Sequence, residues 1–375
     1  MNRLATRELS MLVALAAIWA FFAWQEPVFL SSRNLSLLSV ELAVTAVLAL
    51  GMLVVLLPGQ IDLSAGSGVG LAGAVAAVLV FWHGVPAPLA LLIAAIGAVM
   101  VWSAMGALIA IERIPAFIMT LGGLLVFRGL HWLVIENQTV PVVAGGGENL
   151  YSQLTTYFLS PAAGFGLAAL TVAAITASTL HARRRRQAHG FAVDDGEITF
   201  LKLFVLAQLV LLAVIVTHGY RGMPVALVIL GAVALLVHQL LMNTPFGRYL
   251  YAIGGNEEAA SVSGVPVRAT VIGAYALMGG IVALTGFMQT AYSGASTSTV
   301  GSLMELDAVA ACVIGGTSLR GGRGTVLGVL FGALIMASLL NGMTLMAVSP
   351  EAKYIARGTV LALAVWLDLR LGRDR

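Results

Sequence analysis

Stretches of about twenty residues without a charged side chain recur along this chain from end to end, and no other feature constrains its fold as tightly. As a helix, each would rise about 30 Å at roughly 1.5 Å per residue, the thickness of a bilayer's hydrocarbon core. Backbone amides in lipid must bond within their own segment or within a closed barrel. A barrel would show short segments of alternating polarity, and the sequence has none. The spans are therefore expected to be helices. Only 10% of the residues are charged, against roughly 25% in an average soluble protein. No stretch long enough for a separate soluble domain remains outside the spans.

The candidate spans are twelve: 9–27, 35–57, 63–82, 88–111, 114–135, 160–180, 201–217, 223–242, 268–290, 303–317, 324–342 and 351–369. Segment 63–82 opens on a glycine-rich run and 303–317 is short and acidic at its start, so both are expected to be broken or re-entrant. Such backbone is tolerated at membrane depth only against protein or a water-filled cavity. The expected fold class is an all-α polytopic integral membrane protein of ten to twelve transmembrane or re-entrant helices, a single transmembrane domain over 1–375. The opening run from Leu9 to Phe22, behind Arg3 and Arg7, has the polarity of a signal peptide, but no A-x-A-like cleavage site follows, so it reads as the first span.

Orientation follows from the cations. With the N-terminus inside, Arg3, Arg7, Arg113, Arg183, Arg184, Arg185, Arg186, Lys202, Arg248, Arg268, Arg320, Arg323, Arg370, Arg373 and Arg375 fall on the cytoplasmic side. Only Arg33, Arg221 and Lys353 fall outside, while Arg128 and Arg357 lie within spans. That asymmetry places both termini in the cytoplasm. It also accounts for the pI of about 9.2, so no nucleic-acid partner is expected. The stretch 181–200 reads as a cytoplasmic basic insertion; its four arginines anchor topology, or bind anionic membrane lipid.

The candidates for chemistry are few. The six histidines are scattered without ligand spacing and the single cysteine, Cys312, lies among small apolar residues as a packing residue, so no metal site is expected. No pattern G-x-x-x-x-G-K-[ST] occurs, so the chain itself is expected to bind no ATP and to catalyse nothing. A membrane chain that moves a solute needs either an ion gradient or a partner that hydrolyses ATP. Ion-coupled carriers bury relays of carboxylates and histidines in their spans. Here few charges lie deep in a span: Glu41, Asp62, Glu305 and Asp307 sit near span ends, and Arg128 and Arg357 remain. A weak echo links LPGQIDLSAGSGVGLAGAVAA from residue 57 with GGTSLRGGRGTVLGVLFGALI from residue 315. It reads either as an internal repeat or as the ordinary small-residue content of packed membrane helices.

Between two apolar spans lies the polar segment 243–264, NTPFGRYLYAIGGNEEAASVSG. Asn256 is placed as an N-cap, with Glu257 and Glu258 in the first turn of a short helix where acids oppose the helix dipole. Gly264 is placed to end that helix in a left-handed conformation. A short rigid helix on the cytoplasmic face suits the groove of another protein.

Glu258, Ala259, Ala260 and Gly264 spell EAA-x-x-x-G, which resembles the coupling loop of permeases in ATP-binding-cassette importers. The longer form NTPFGRYLYAIGGNEEAASVSGV is similar to that of the ribose/xylose/galactose branch, and so are GQIDLSAGS at 59–67, IPAFIMTLGGLLVFRGL at 114–130 and ELDAVAACVIGGTSLRGGRGTVLGVLFGALIMASLLNGM at 305–343. RRRRQAHGF at 183–191, YRGMP at 220–224, LLNGMTLM at 339–346 and LAVWLD at 363–368 resemble D-xylose permeases within that branch; Gln60 departs from the Gly, Ala or Glu of many relatives.

The resemblance implies a monosaccharide importer of the bacterial inner membrane, D-xylose foremost, with ribose, galactose or another small solute as alternatives and an ion-coupled carrier as the rival of a different class. It implies a second copy of the chain, an ATPase subunit that carries ATP and Mg, and a periplasmic sugar-binding protein. Arg248, Tyr251, Gly254, Gly255, Asn256, Glu257, Glu258 and Gly264 are the expected ATPase-coupling residues. Asp62, Ser64, Thr120, Glu305, Asp307 and Asn341 are the expected pathway residues, since a sugar needs hydroxyl partners; Asp62 reads equally as a helix cap. Arg33, Arg221 and Lys353 face the side where a binding protein would dock.

Overall fold

The computed structural model describes residues 3–143, 145, 147–191, 193 and 195–373. Its helices are α1 Arg3–Gln25, α2 Ser32–Leu56, α3 Ala65–Phe81, α4 Ala87–Glu112, α5 Ala116–Val134, α6 Leu150–Thr156, α7 Pro161–Ala188, α8 Gly196–His218, α9 Val225–Asn243, α10 Pro245–Gly255, α11 Glu257–Val262, α12 Val267–Ser293, α13 Met304–Ile314, α14 Val326–Leu345 and α15 Pro350–Arg373. Every expected span coincides with a helix. Among the described residues eight helices are long and apolar enough to cross a membrane, namely α2, α4, α5, α7, α8, α9, α12 and α14. Met11–Gln25 of α1 and all of α3 are shorter apolar helices.

α2 is the hub. From Ala43 to Leu57 it is buried on almost every face, packed by α9, α12, α13 and α14. Its start is fixed by Ser31, whose Oγ accepts from the Asn34 amide at 3.3 Å. α12 lies against α3 and α4 on its other side. Lipid is as apolar as leucine, so burial of apolar surface does not hold these helices together; close packing does. Small residues make that possible: a Cβ at Gly286 of α12 would meet the Val69 carbonyl of α3 at 2.5 Å.

Two short antiparallel pairings clip loops on one side of the bundle. β1 Val140–Pro141 pairs with β4 Ala295–Ser296, and β2 Phe158–Leu159 with β3 Met223–Pro224. Buried Tyr151 of α6 adds a tie, donating to the Gly73 carbonyl at 2.8 Å.

Two segments depart from plain spans, as their composition leads one to expect. Between α2 and α3 the chain is non-helical through Gln60–Ser64, and Asp62 and Ser64 there are fully buried. α13 has 11 residues, a length of about 16 Å, so it reaches only half-way across. The starts of these two interrupted helices meet: a Cβ on Gly66 would run into the Glu305 carboxylate and the Gly301 carbonyl.

The insertion at 181–200, whose basic run would suit a loop, is helical over 183–186, because α7 continues through Ala188 and α8 begins at Gly196. Arginine is a good helix former, and nothing in RRRRQA stops a helix before Gly190. Arg183 binds across to α8, its Nη1 donating to Thr199 Oγ1 at 3.2 Å.

Candidate functional site

The polar segment after α9 folds as two short helices joined at a single residue. Thr244 caps α10, accepting from the Gly247 amide at 3.4 Å, and Pro245 occupies the first turn, where its missing N–H costs nothing. Asn256 closes α10 and opens α11, its Oδ1 accepting from the Ala259 amide at 2.9 Å. Glu257 and Glu258 occupy the first turn of α11. The helix ends at Gly264, whose φ of +83° is the left-handed conformation that disfavours a side chain.

This helix is presented outward. Glu257, Glu258, Ala259, Ser261, Ser263 and Gly264 are exposed, and Val262 is 91% exposed, while Ala260 alone turns inward. An apolar tip ringed by acids and small residues is a surface shaped to be covered. Arg248 and Gly255 are exposed beside it.

The other members of the set point the opposite way. Tyr251 is half-buried, and its hydroxyl donates to the Gly324 carbonyl at 2.8 Å; burial pushes that hydroxyl's pKa up and keeps it a donor. Gly254 lies where three backbones converge: a Cβ there would strike the Leu57 carbonyl, the Gly322 nitrogen and the Gly321 carbonyl carbon. Gly322 N donates to Leu57 O at 2.8 Å, and Gly321, at φ +86°, makes the turn. α10 is thereby fixed to the end of α2 and to the loop leading into α14. The two echoing segments, from 57 and from 315, are the ones that meet here.

The expected pathway residues divide into three groups. Asp62, Ser64 and Thr120 form one buried knot. Asp62 Oδ1 accepts from the Ser64 amide at 2.8 Å and from Ser64 Oγ at 2.6 Å, and its Oδ2 from Trp102 Nε1 at 2.7 Å. Thr120 Oγ1 donates to the Ile61 carbonyl at 3.1 Å. Trp102 lies ten residues before the end of α4, about 15 Å along the helix, so the knot is deep in the bundle and holds the start of α3. Asp62 is not itself the cap of α3: Ser64 holds the N-cap position, without a side-chain capping bond, and Asp62 fixes Ser64 from the preceding turn.

Glu305 and Asp307 form the second group, in the first turn of α13. Asp307 Oδ1 lies 3.3 Å from Arg357 Nε of α15, an ion pair without hydrogen-bond alignment. Arg128 of α5 stands exposed, its guanidinium 5.5 Å from the centroid of the Trp132 ring.

Asn341 belongs to the third group, with Glu41, already noted as a charge near a span end, and with Asn34 and Tyr292, which the reading of the sequence did not single out. Asn34 Nδ2 donates to Asn341 Oδ1 and to the Phe29 carbonyl, both at 2.9 Å. Asn341 Nδ2 donates to Glu41 Oε2 at 3.3 Å, and the Tyr292 hydroxyl donates to Glu41 Oε1 at 2.8 Å. These partners are hundreds of residues apart, and polar residues inside apolar spans were the signal available for them.

On the side of the outward-assigned cations, Lys353 Nζ donates to Thr344 Oγ1 at 3.1 Å, and Arg221 lies over the rings of Phe158 and Tyr220. Cys312 is buried, its Sγ 3.2 Å from the Ala49 carbonyl.

Residues 34–365 match the family model described as branched-chain amino acid transport system / permease component. The chain is 39% identical to the xylose transport system permease protein XylH of Escherichia coli K12 over 96% of its own length and 90% of the relative's. It is 34% identical to the ribose import permease protein RbsC, and 33% identical to the galactose/methyl galactoside import permease protein MglC, both of the same organism, over 95% of its length and 92% of theirs in each case. No solved structure matches it significantly. The match covers all the helices that carry the polar groups above, and the chain belongs to this family of transport-system permease components.

Proposed function

We propose that this chain is the permease subunit of an ATP-binding-cassette monosaccharide importer in a bacterial inner membrane, and that its sugar is D-xylose. The single observation that carries the reading is the outward α11 on its rigid mount. A capped acidic helix stands in solvent, while its neighbour α10 is bolted through Gly254 and Tyr251 to α2 and α14. Force applied to α11 by an ATPase would reach those helices without being absorbed by a soft loop. The higher identity to a xylose permease than to the ribose and galactose permeases supports the sugar.

A second copy completes the pathway. α5 carries exposed Phe117, Leu121, Leu125 and Leu133 on a helix that also exposes Arg128 in its interior. A cation facing lipid at that depth is expensive. A face shared with another subunit or with water removes that cost. A periplasmic binding protein would deliver sugar on the side opposite α11.

The test is uptake of labelled D-xylose by cells lacking this gene, with the gene restored and with unlabelled D-ribose and D-galactose as competitors. Restored uptake that D-xylose alone competes supports the reading. Uptake blocked instead by ribose or galactose reassigns the sugar.

A further inference from the structure

We infer that Glu41, Tyr292 and Asn341 form a subsite that takes two hydroxyls of the sugar in transit, at the end of the bundle opposite α11. This rests on the proposed function. The position comes from α12, which begins at Val267 beside the α10–α11 segment and carries Tyr292 one residue before its end at Ser293. The span from one to the other is about 38 Å at a rise of 1.5 Å per residue. Sugar therefore meets this group from the side away from the ATPase.

A carboxylate is an odd choice for merely tying helices together, because it brings a charge to membrane depth that such a tie does not need. Glu41 accepts only from neutral donors, Tyr292 at 2.8 Å and Asn341 at 3.3 Å. Among the described residues no lysine or arginine forms an ion pair with it. It stays partly exposed and Tyr292 is 37% exposed, whereas Asn34 and Asn341 are buried behind them.

The roles divide accordingly. An ionised carboxylate has about four acceptor sites, two of which are used here. The Tyr292 hydroxyl, while it donates a hydrogen bond to Glu41, can still accept one at its oxygen. Asn34 positions the group from behind: by holding Asn341 Oδ1 it turns the Asn341 amide nitrogen toward Glu41. The long Asn341 bond is the one a sugar hydroxyl displaces most easily. The result is an acceptor pair in front of a fixed donor, the arrangement that neighbouring sugar hydroxyls require, and one weak enough to release them.

The experiment is a cycle between protein and sugar. Maximal uptake rates of D-xylose and of its monodeoxy analogues are measured in gene-deleted cells carrying wild type, Glu41→Gln or Tyr292→Phe, with the membrane level of each variant checked by immunoblot. Glu41→Gln should slow D-xylose about tenfold, the effect of losing a charge-assisted hydrogen bond. For the analogue lacking the contacted hydroxyl, wild type and variant should run equally, since the two losses share one contact. Equal proportional losses for every sugar, or no loss, overturn the subsite and leave the transport function standing. Wild-type cells that import none of D-xylose, D-ribose and D-galactose overturn the function and the subsite together. Should Glu41→Gln fail to accumulate, Tyr292→Phe, which keeps the ring and removes one bond, decides by the same cycle.

Discussion

The Tyr251 hydroxyl donates to the carbonyl of Gly324 at 2.8 Å, joining α10 to the turn that starts α14 across 73 residues of chain. Replacing Tyr251 with Phe removes this bond and keeps the ring. We expect a stability loss of about 1 kcal/mol, and a larger effect on coupling. Sugar moved per ATP hydrolysed should fall in membrane vesicles, while the permease remains in the membrane at normal level. Unchanged stoichiometry would show that the tie carries no motion.

Two adjacent glycines should behave oppositely. A Cβ at Gly254 has the Leu57 carbonyl and the Gly322 nitrogen in its way, both backbone atoms that cannot swing aside. Gly255 has nothing within 4 Å. Gly254→Ala should displace α10 and abolish uptake; Gly255→Ala should leave α10 in place and lower uptake far less. Measured side by side in the uptake assay, equal behaviour of the pair would contradict the convergence of α2, α10 and the 321–324 turn.

Asp62 predicts a stability effect. Its two oxygens satisfy Ser64 and the indole N–H of Trp102 inside the bundle. Asp62→Ala strands those donors, at a cost of about 1–3 kcal/mol for each group left unpaired. The melting temperature of the detergent-solubilised variant should drop by several degrees. Trp102→Phe, which removes one of the stranded donors, should recover part of the loss in the double variant.

The short α11 could be read almost completely from the chain, because everything that makes it is local. Asn256 caps, two acids follow, and Gly264 ends the helix within nine residues. The spans were equally legible, since twenty apolar residues need no partner to declare themselves. The broken segments showed as glycine-rich or acidic starts, yet what those starts touch did not: that Gly66 meets Glu305 is a fact of packing. Tyr292 and Asn34 were the least visible, and the grouping of Glu41 with Asn341 was hidden too. Each is an ordinary polar residue on its own helix, and only the bundle brings 34, 41, 292 and 341 together. The helical course of Arg183 to Arg186 was obscured for a different reason, because charge marks the end of a membrane span but does not end a helix.

Glu258 offers the most direct test of the central claim, that α11 is where an ATPase takes hold. The side chain is exposed. The measurement is D-xylose uptake in gene-deleted cells restored with wild type or Glu258→Lys, at matched membrane levels. The account predicts that wild type restores uptake and that the charge reversal, while leaving the permease folded and in the membrane, does not. Full uptake by the Lys variant would contradict it.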